Sequence, residues 1–107
     1  MSGFAGLLNQ RVQVQHWVPV SDAMGGDAGQ WVAASEAWAA IALIELRPAE
    51  DGAAPATRQR FRVTMRDDAA FGLLHRLIWS GKALTVLSVA RDPAEADRMR
   101  IIAEMRE

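Results

Sequence analysis

The chain has no cysteine among its 107 residues, which excludes a disulfide framework, a thiolate metal site and a cysteine nucleophile together. Tyrosine is also missing, and the two histidines, His16 and His75, have no carboxylate or second histidine near them at metal-ligand spacing. Each reads as a half-buried strand residue. Neither sign of charge is in excess: 12 basic residues stand against 13 acidic ones, for a net charge of −1. A general nucleic-acid binder is excluded on that ground, and only a local basic patch remains open. Long apolar runs are absent too. The longest, AWAAIALI at 37–44, falls far short of the ~20 residues that span a bilayer. The opening MSGFAGLLNQ has neither a basic leader nor an apolar stretch of signal-peptide length. The expectation is a protein that is cytoplasmic when synthesised and has no membrane partner.

Catalytic signals are equally sparse. The carboxylates fall in polar turns: Glu50 with Asp51, Asp67 with Asp68, then Asp92, Glu95 and Asp97. Solvent there prevents the splitting of pKa values that acid–base pairs need, so these groups read as turn caps and solubilising charge. GGDAG at 25–29 leads into a Trp-headed strand and not into a helix with Lys and Ser or Thr, so it is no phosphate loop. No G-x-S-x-G elbow is present. The reading is a non-enzymatic protein without a cofactor or metal.

What is present is a strand grammar. Half of the residues are hydrophobic, and a chain of this length buries roughly two-thirds of its unfolded surface, enough for one domain over residues 1–107. RQRFRVTMR at 58–66 alternates strictly, with Phe61, Val63 and Met65 on one side and Arg58, Arg60, Arg62 and Arg66 on the other. A period of two is the strand period, so the arginines stand on the face opposite the core. RVQVQHWVPV sends Val12, Val14, His16 and Val18 one way, and Pro19 marks a strand end. Trp17, on the other side, is the tryptophan expected to stand partly outside. QWVAASEAWAAIALIEL is a long strand, bent or bulged midway, although its alanines favour helix by propensity. HRLIWSGKALTVLSVA is a hairpin turning at Ser80, Gly81 and Lys82, and RMRIIAEMR is a closing strand.

Between these, residues 47–57 (RPAEDGAAPAT) have no large apolar anchor and read as a long loop between the second and third strands. DDAAFGLL reads as a short helix capped by Asp67 or Asp68. SGFAGLLNQ reads as one or two helical turns across a barrel end. The fold class is therefore mainly β: a small antiparallel β-barrel of about six strands, with a short helix and that long loop.

Four tryptophans raise a single-stranded nucleic-acid-binding barrel as one function. A stacking platform needs aromatics and cations on one face, and the alternation at 58–66 puts Phe61 opposite the arginines.

The order of features resembles the head-tail joining (head-tail adaptor, or head-closure) proteins of tailed phages, prophages and gene transfer agents. GLLNQRVQVQ resembles the family's opening segment and R-[VI]-x-[VI] strand, MGGDAGQW its D-x-x-G-G turn before a Trp, and EAWAAI its V-W-A-x-I strand. HRLIWSGKALTVLSVARDP resembles its R-[IL]-x-[WFY]-x-G-[RK]-x-[YL]-x-[VI] hairpin, with Leu84 where the family often has an aromatic. The resemblance implies a structural connector that forms a hexameric or dodecameric ring beneath the portal or adaptor protein. Such a ring extends the channel for double-stranded DNA, helps retain the packaged genome, docks the tail terminator or tail-tube protein, and is incorporated in the particle at the head-tail junction.

It also implies that the loop, with Arg47, Glu50, Asp51 and Gly52, projects into the channel. Arginines lining the lumen would clamp DNA, since each phosphate contact adds roughly 0.9 to the salt-dependence slope. Arg58, Arg60, Arg62 and Arg66, with Trp17, are instead expected at a subunit or partner interface or on a solvated outer face.

Overall fold

The computed structural model describes residues 4–20, 28–48 and 57–106. After a one-turn helix, α1 (Phe4–Leu7), six strands follow: β1 (Gln10–Pro19), β2 (Gly29–Pro48), β3 (Thr57–Arg66), β4 (His75–Trp79), β5 (Lys82–Ala90) and β6 (Arg98–Arg106). They close into an antiparallel barrel in the order β1-β2-β3-β6-β5-β4. Closure leaves no free sheet edge around the wall, the main hazard of an all-β domain of this size.

The alternation read in the sequence is the alternation of the wall. Phe61, Val63 and Met65 of β3 and Met99, Ile101, Ala103 and Met105 of β6 lie in the core with Val12, Val14, Leu77 and Leu84. Leu77, Leu84, Val63 and Ile101 are fully buried, and each contributes roughly 1.5–3 kcal/mol of burial. At the β4–β5 turn Ser80 and Gly81 both take positive φ, 51° and 77°, as a two-residue turn matched to strand twist requires.

β2 decides the shape. Its first half pairs with β1 and its second with β3, and Ala39 is the residue shared by both ladders. A methyl group suffices there because Ala39 is fully buried where the wall coils from one partner to the other. Bulges let the strand bend: the β1 pairing skips Ala34, and the β3 pairing skips Ile44. The Ala-rich stretch is thus strand, its helical propensity overridden by two ladders of partners. Beyond the bulge at Ile44, β2 and β3 continue as an arm towards Pro48 and Thr57.

Two local expectations are corrected. Arg47 is not in a loop: β2 runs to Pro48 and β3 starts at Thr57, with Arg47 opposite Arg58. Glu50, Asp51 and Gly52 lie outside the described residues. Nor is 67–74 a helix; it is two successive turns, closed by Phe71 N–H to the Asp68 carbonyl and His75 N–H to the Gly72 carbonyl. Asp68 does cap, accepting from the Ala70 N–H at 3.0 Å. Arg91 holds the two turns in place by donating to the carbonyls of Asp68 and Phe71, of which the first also accepts the Phe71 N–H.

Candidate functional site

The sequence singled out the outer wall, and β3 organises it. Arg58, Arg60, Arg62 and Arg66 all belong to the set that alternates with the buried residues. Cross-strand register then sets their neighbours. Arg60 stands between Glu45 of β2 and Glu104 of β6, and Arg58 between Arg47 and Arg106. Arg62 lies between Ala42 and Ile102, and Arg66 is opposite Arg98.

Two carboxylates therefore serve an arginine-rich row. Arg60 Nη1 lies 3.5 Å from Glu45 Oε2, and Arg58 Nε lies 3.6 Å from Glu104 Oε1. Both separations exceed a strong charge-assisted hydrogen bond, which is about 2.7–2.9 Å. Glu104 is mostly buried, and its Oε1, like Arg58 Nε, is shielded from solvent without a hydrogen-bond partner. Arg62 is exposed, with small or apolar register neighbours.

Trp17 is 37% exposed, as expected of it. Its indole packs edge-on against Trp31 at 5.3 Å and lies across Gly29, where a Cβ would collide with the ring. That close approach is the reason for glycine at 29, and it gives half of the Trp17 ring an internal role. Trp31 is also covered from above, by the Arg76 guanidinium 4.7 Å from its centroid.

Other surface features were not foreseen. Trp38, at 51%, is more exposed than Trp17; Arg11 lies over it at 5.3 Å and pairs with Glu36 at 2.6 Å. His16 and His75 are register partners with ring centroids 6.2 Å apart, and His75 stacks on Phe71 while its Nδ1 accepts from the Gly72 N–H. Only strand pairing brings these residues together, so local spacing carried no sign of it.

Arg91 ties several chain segments together at the end of the barrel where β3 gives way to β4. It donates to Asp67 Oδ1 at 2.7 Å, to the Asp68 carbonyl at 2.7 Å and to the Phe71 carbonyl at 3.1 Å. Nearby, the hydrogen bond from Arg98 Nε holds the Asp97 carboxyl below the usual carboxylate range. Among the described residues no three His, Asp or Glu side chains converge to hold a metal ion.

The fold is thus a closed antiparallel barrel with its charged residues on the outer wall and at its ends. The chain matches the phage head completion protein family over residues 5–104, and it belongs to that family. Its fold is similar to a chain in the virion of a native gene transfer agent particle, at a TM-score of 0.81 and 19% identity over 94% of this chain and 96% of that one. It is also similar to protein SF1141 from Shigella flexneri 2a, known from its solution structure, at a TM-score of 0.72 and 19% identity over 96% of each chain. No curated protein matches the sequence. The protein is a structural one of the phage head-tail type.

Proposed function

We propose that the protein is a head-closure connector: copies form a ring beneath the portal or adaptor, continue the DNA channel, retain the genome and present a docking surface to the tail. Family membership over nearly the whole chain carries this reading. The shared fold with a chain of a gene transfer agent virion supports it, because such a particle also needs a closed head joined to a tail.

Within that reading the segment from Arg47 through Glu50, Asp51 and Gly52 is the channel element. The strands on either side of it, β2 and β3, run as an arm beyond the β1 pairing, which supports that reading. Its acidic residues suit a passage through which a polyanion slides. The β3 arginines are the interface element. Arg58 and Arg60 are incompletely neutralised by Glu45 and Glu104, so a neighbour's carboxylates complete their pairing, and the planar guanidinium fork favours that role. Trp17 contributes the exposed part of its indole.

One observation favours the rival, a single-strand binder: the wall does bring arginine and tryptophan together, at Arg11 over Trp38 and Arg76 over Trp31. Trp31 is however covered by Arg76 and Trp17, which leaves Trp38 and part of Trp17 open where a stacking track needs successive aromatics.

The test is replacement of the chromosomal copy by two variants. Removing residues 49–56 is expected to give joined particles that leak DNA, and Arg60→Glu with Arg62→Glu to give particles lacking the protein. Full DNA retention by the first, or normal incorporation of the second, contradicts the role assigned to that element.

A further inference from the structure

On the outer wall where β1 meets β4, Arg76 is half-buried and set among uncharged residues. Its Nε donates to Gln15 Oε1 at 2.7 Å, and Gln15 Nε2 in turn donates to Gln13 Oε1 at 2.6 Å, so the tether that holds the guanidinium adds no charge. The guanidinium lies over Trp31, 4.7 Å from the ring centroid. Gln15 and Thr85 are the cross-strand partners of Arg76, and Gln13, Ile78 and Ala83 form the next row on that face. Beyond Thr85 the row reaches Glu104, whose carboxylate lies beside Arg58. Among the described residues no carboxylate pairs with Arg76.

That arrangement has a chemical direction. A guanidinium keeps its charge throughout the physiological range, and a half-buried one without a carboxylate lacks the pairing that offsets its burial. Gln15 occupies Nε, which leaves Nη1 and Nη2 at the end of the fork, where two parallel N–H···O bonds match one carboxylate. The stack and the tether already fix the side chain, so little rotamer freedom is lost on docking. A nucleic-acid backbone is a poorer match, because it is bound by rows of cations and no second cation stands in this row or the next on β1, β4 or β5. Beside the fork, the open part of Trp17 and Leu74, 71% exposed, form an apolar shelf that the Trp17 N–H ties together at the Leu74 carbonyl. Tryptophan and arginine are the residue types that carry most binding energy at protein interfaces.

We propose that Arg76, seated on Trp31, docks one carboxylate of a partner protein: an Asp or Glu side chain held end-on by Nη1 and Nη2, with a bulky apolar residue beside it resting on Trp17 and Leu74. The site lies on the β1–β4 side of the barrel, apart from the β3 arginines, and does not depend on the connector reading.

The purified, isotope-labelled chain is titrated with acetyl-Leu-Glu-amide, acetyl-Leu-Gln-amide and inorganic phosphate while the Arg76 Nε–H and the tryptophan indole N–H signals are followed by NMR. The acidic peptide should shift the Arg76 and Trp31 signals saturably and bind roughly tenfold tighter than its uncharged twin, the difference that a charge-assisted pair makes. Phosphate should move them less, and Arg76→Gln should abolish the preference. Equal affinity for the two peptides, a preference kept by Arg76→Gln, a stronger response to phosphate, or no response to the acidic peptide overturns the inference. Asp22 and Asp27, between β1 and β2 in the chain, lie outside the described residues. Asp22→Asn with Asp27→Asn should leave the affinity unchanged; a gain of roughly tenfold would make the occupant this chain's own carboxylate and overturn the inference as well. Should Arg76→Gln not fold, the three titrations of the parent protein still decide.

Discussion

Replacing Arg91 should loosen one end of the barrel by an amount that the structure allows to be worked out. Its guanidinium forms a 2.7 Å ion pair with Asp67 and hydrogen bonds of 2.7 and 3.1 Å to the carbonyls of Asp68 and Phe71. The ion pair is exposed and worth under ~1 kcal/mol. The two charge-assisted bonds are worth roughly 1.5 kcal/mol each before discounting, and the side chain is 40% exposed. Arg91→Ala should therefore cost about 2 kcal/mol. For a chain of this length an unfolding entropy of roughly 0.22 kcal/mol/K converts that into a fall in Tm of about 9 °C. The local signature is sharper: amide exchange at Phe71 and His75, whose N–H groups close the two turns, should accelerate roughly 30-fold. Arg91→Lys keeps the charge but not the fork, and should recover less than half of the loss. A lysine variant as stable as the parent, or an alanine variant with unchanged exchange at Phe71 and His75, would refute the clamp.

Three further outcomes follow from single positions. Gly29→Ala should destabilise by about 1–3 kcal/mol because its Cβ meets the Trp17 ring, and most of that penalty should vanish in a Trp17→Ala background, as read by a thermal double-mutant cycle. Gly81→Ala, at φ 77°, should cost about 1 kcal/mol in chemical denaturation, whereas Gly72→Ala meets no atom and should cost less. Asp97 should titrate below the usual carboxylate range in a carboxyl NMR experiment and move back up in Arg98→Gln. Because its folded value is depressed, its contribution to stability is present above the ordinary carboxylate range and is lost as pH falls through the folded value.

The wall was legible where the signal is local. Period-two alternation named the core of β3 and β6, and Ser80 with Gly81 named the hairpin turn. The Ala-rich run could not be decided from propensity, since its strand state depends on two ladders formed with residues distant in the chain. The false helix at 67–74 has the same origin: Asp68 and the spacing of Phe71 and Leu74 favour it, while the turns that form instead are tied to Arg91, some twenty residues away. The arginines stand on the face opposite the core, as the alternation implied, but their partners Glu45 and Glu104 are set by register and could not be read locally. Trp38 was underrated because alternation alone does not distinguish a wall covered by neighbours from an open one; alanine at 40 and 42 leaves that stretch of wall low.

Electron microscopy of particles from cells lacking the gene tests the central claim most directly. A connector that closes heads and receives tails predicts finished tails lying apart from heads that are leaking or empty, with joining restored by the gene in trans. Joined, DNA-filled particles in its absence would contradict the account.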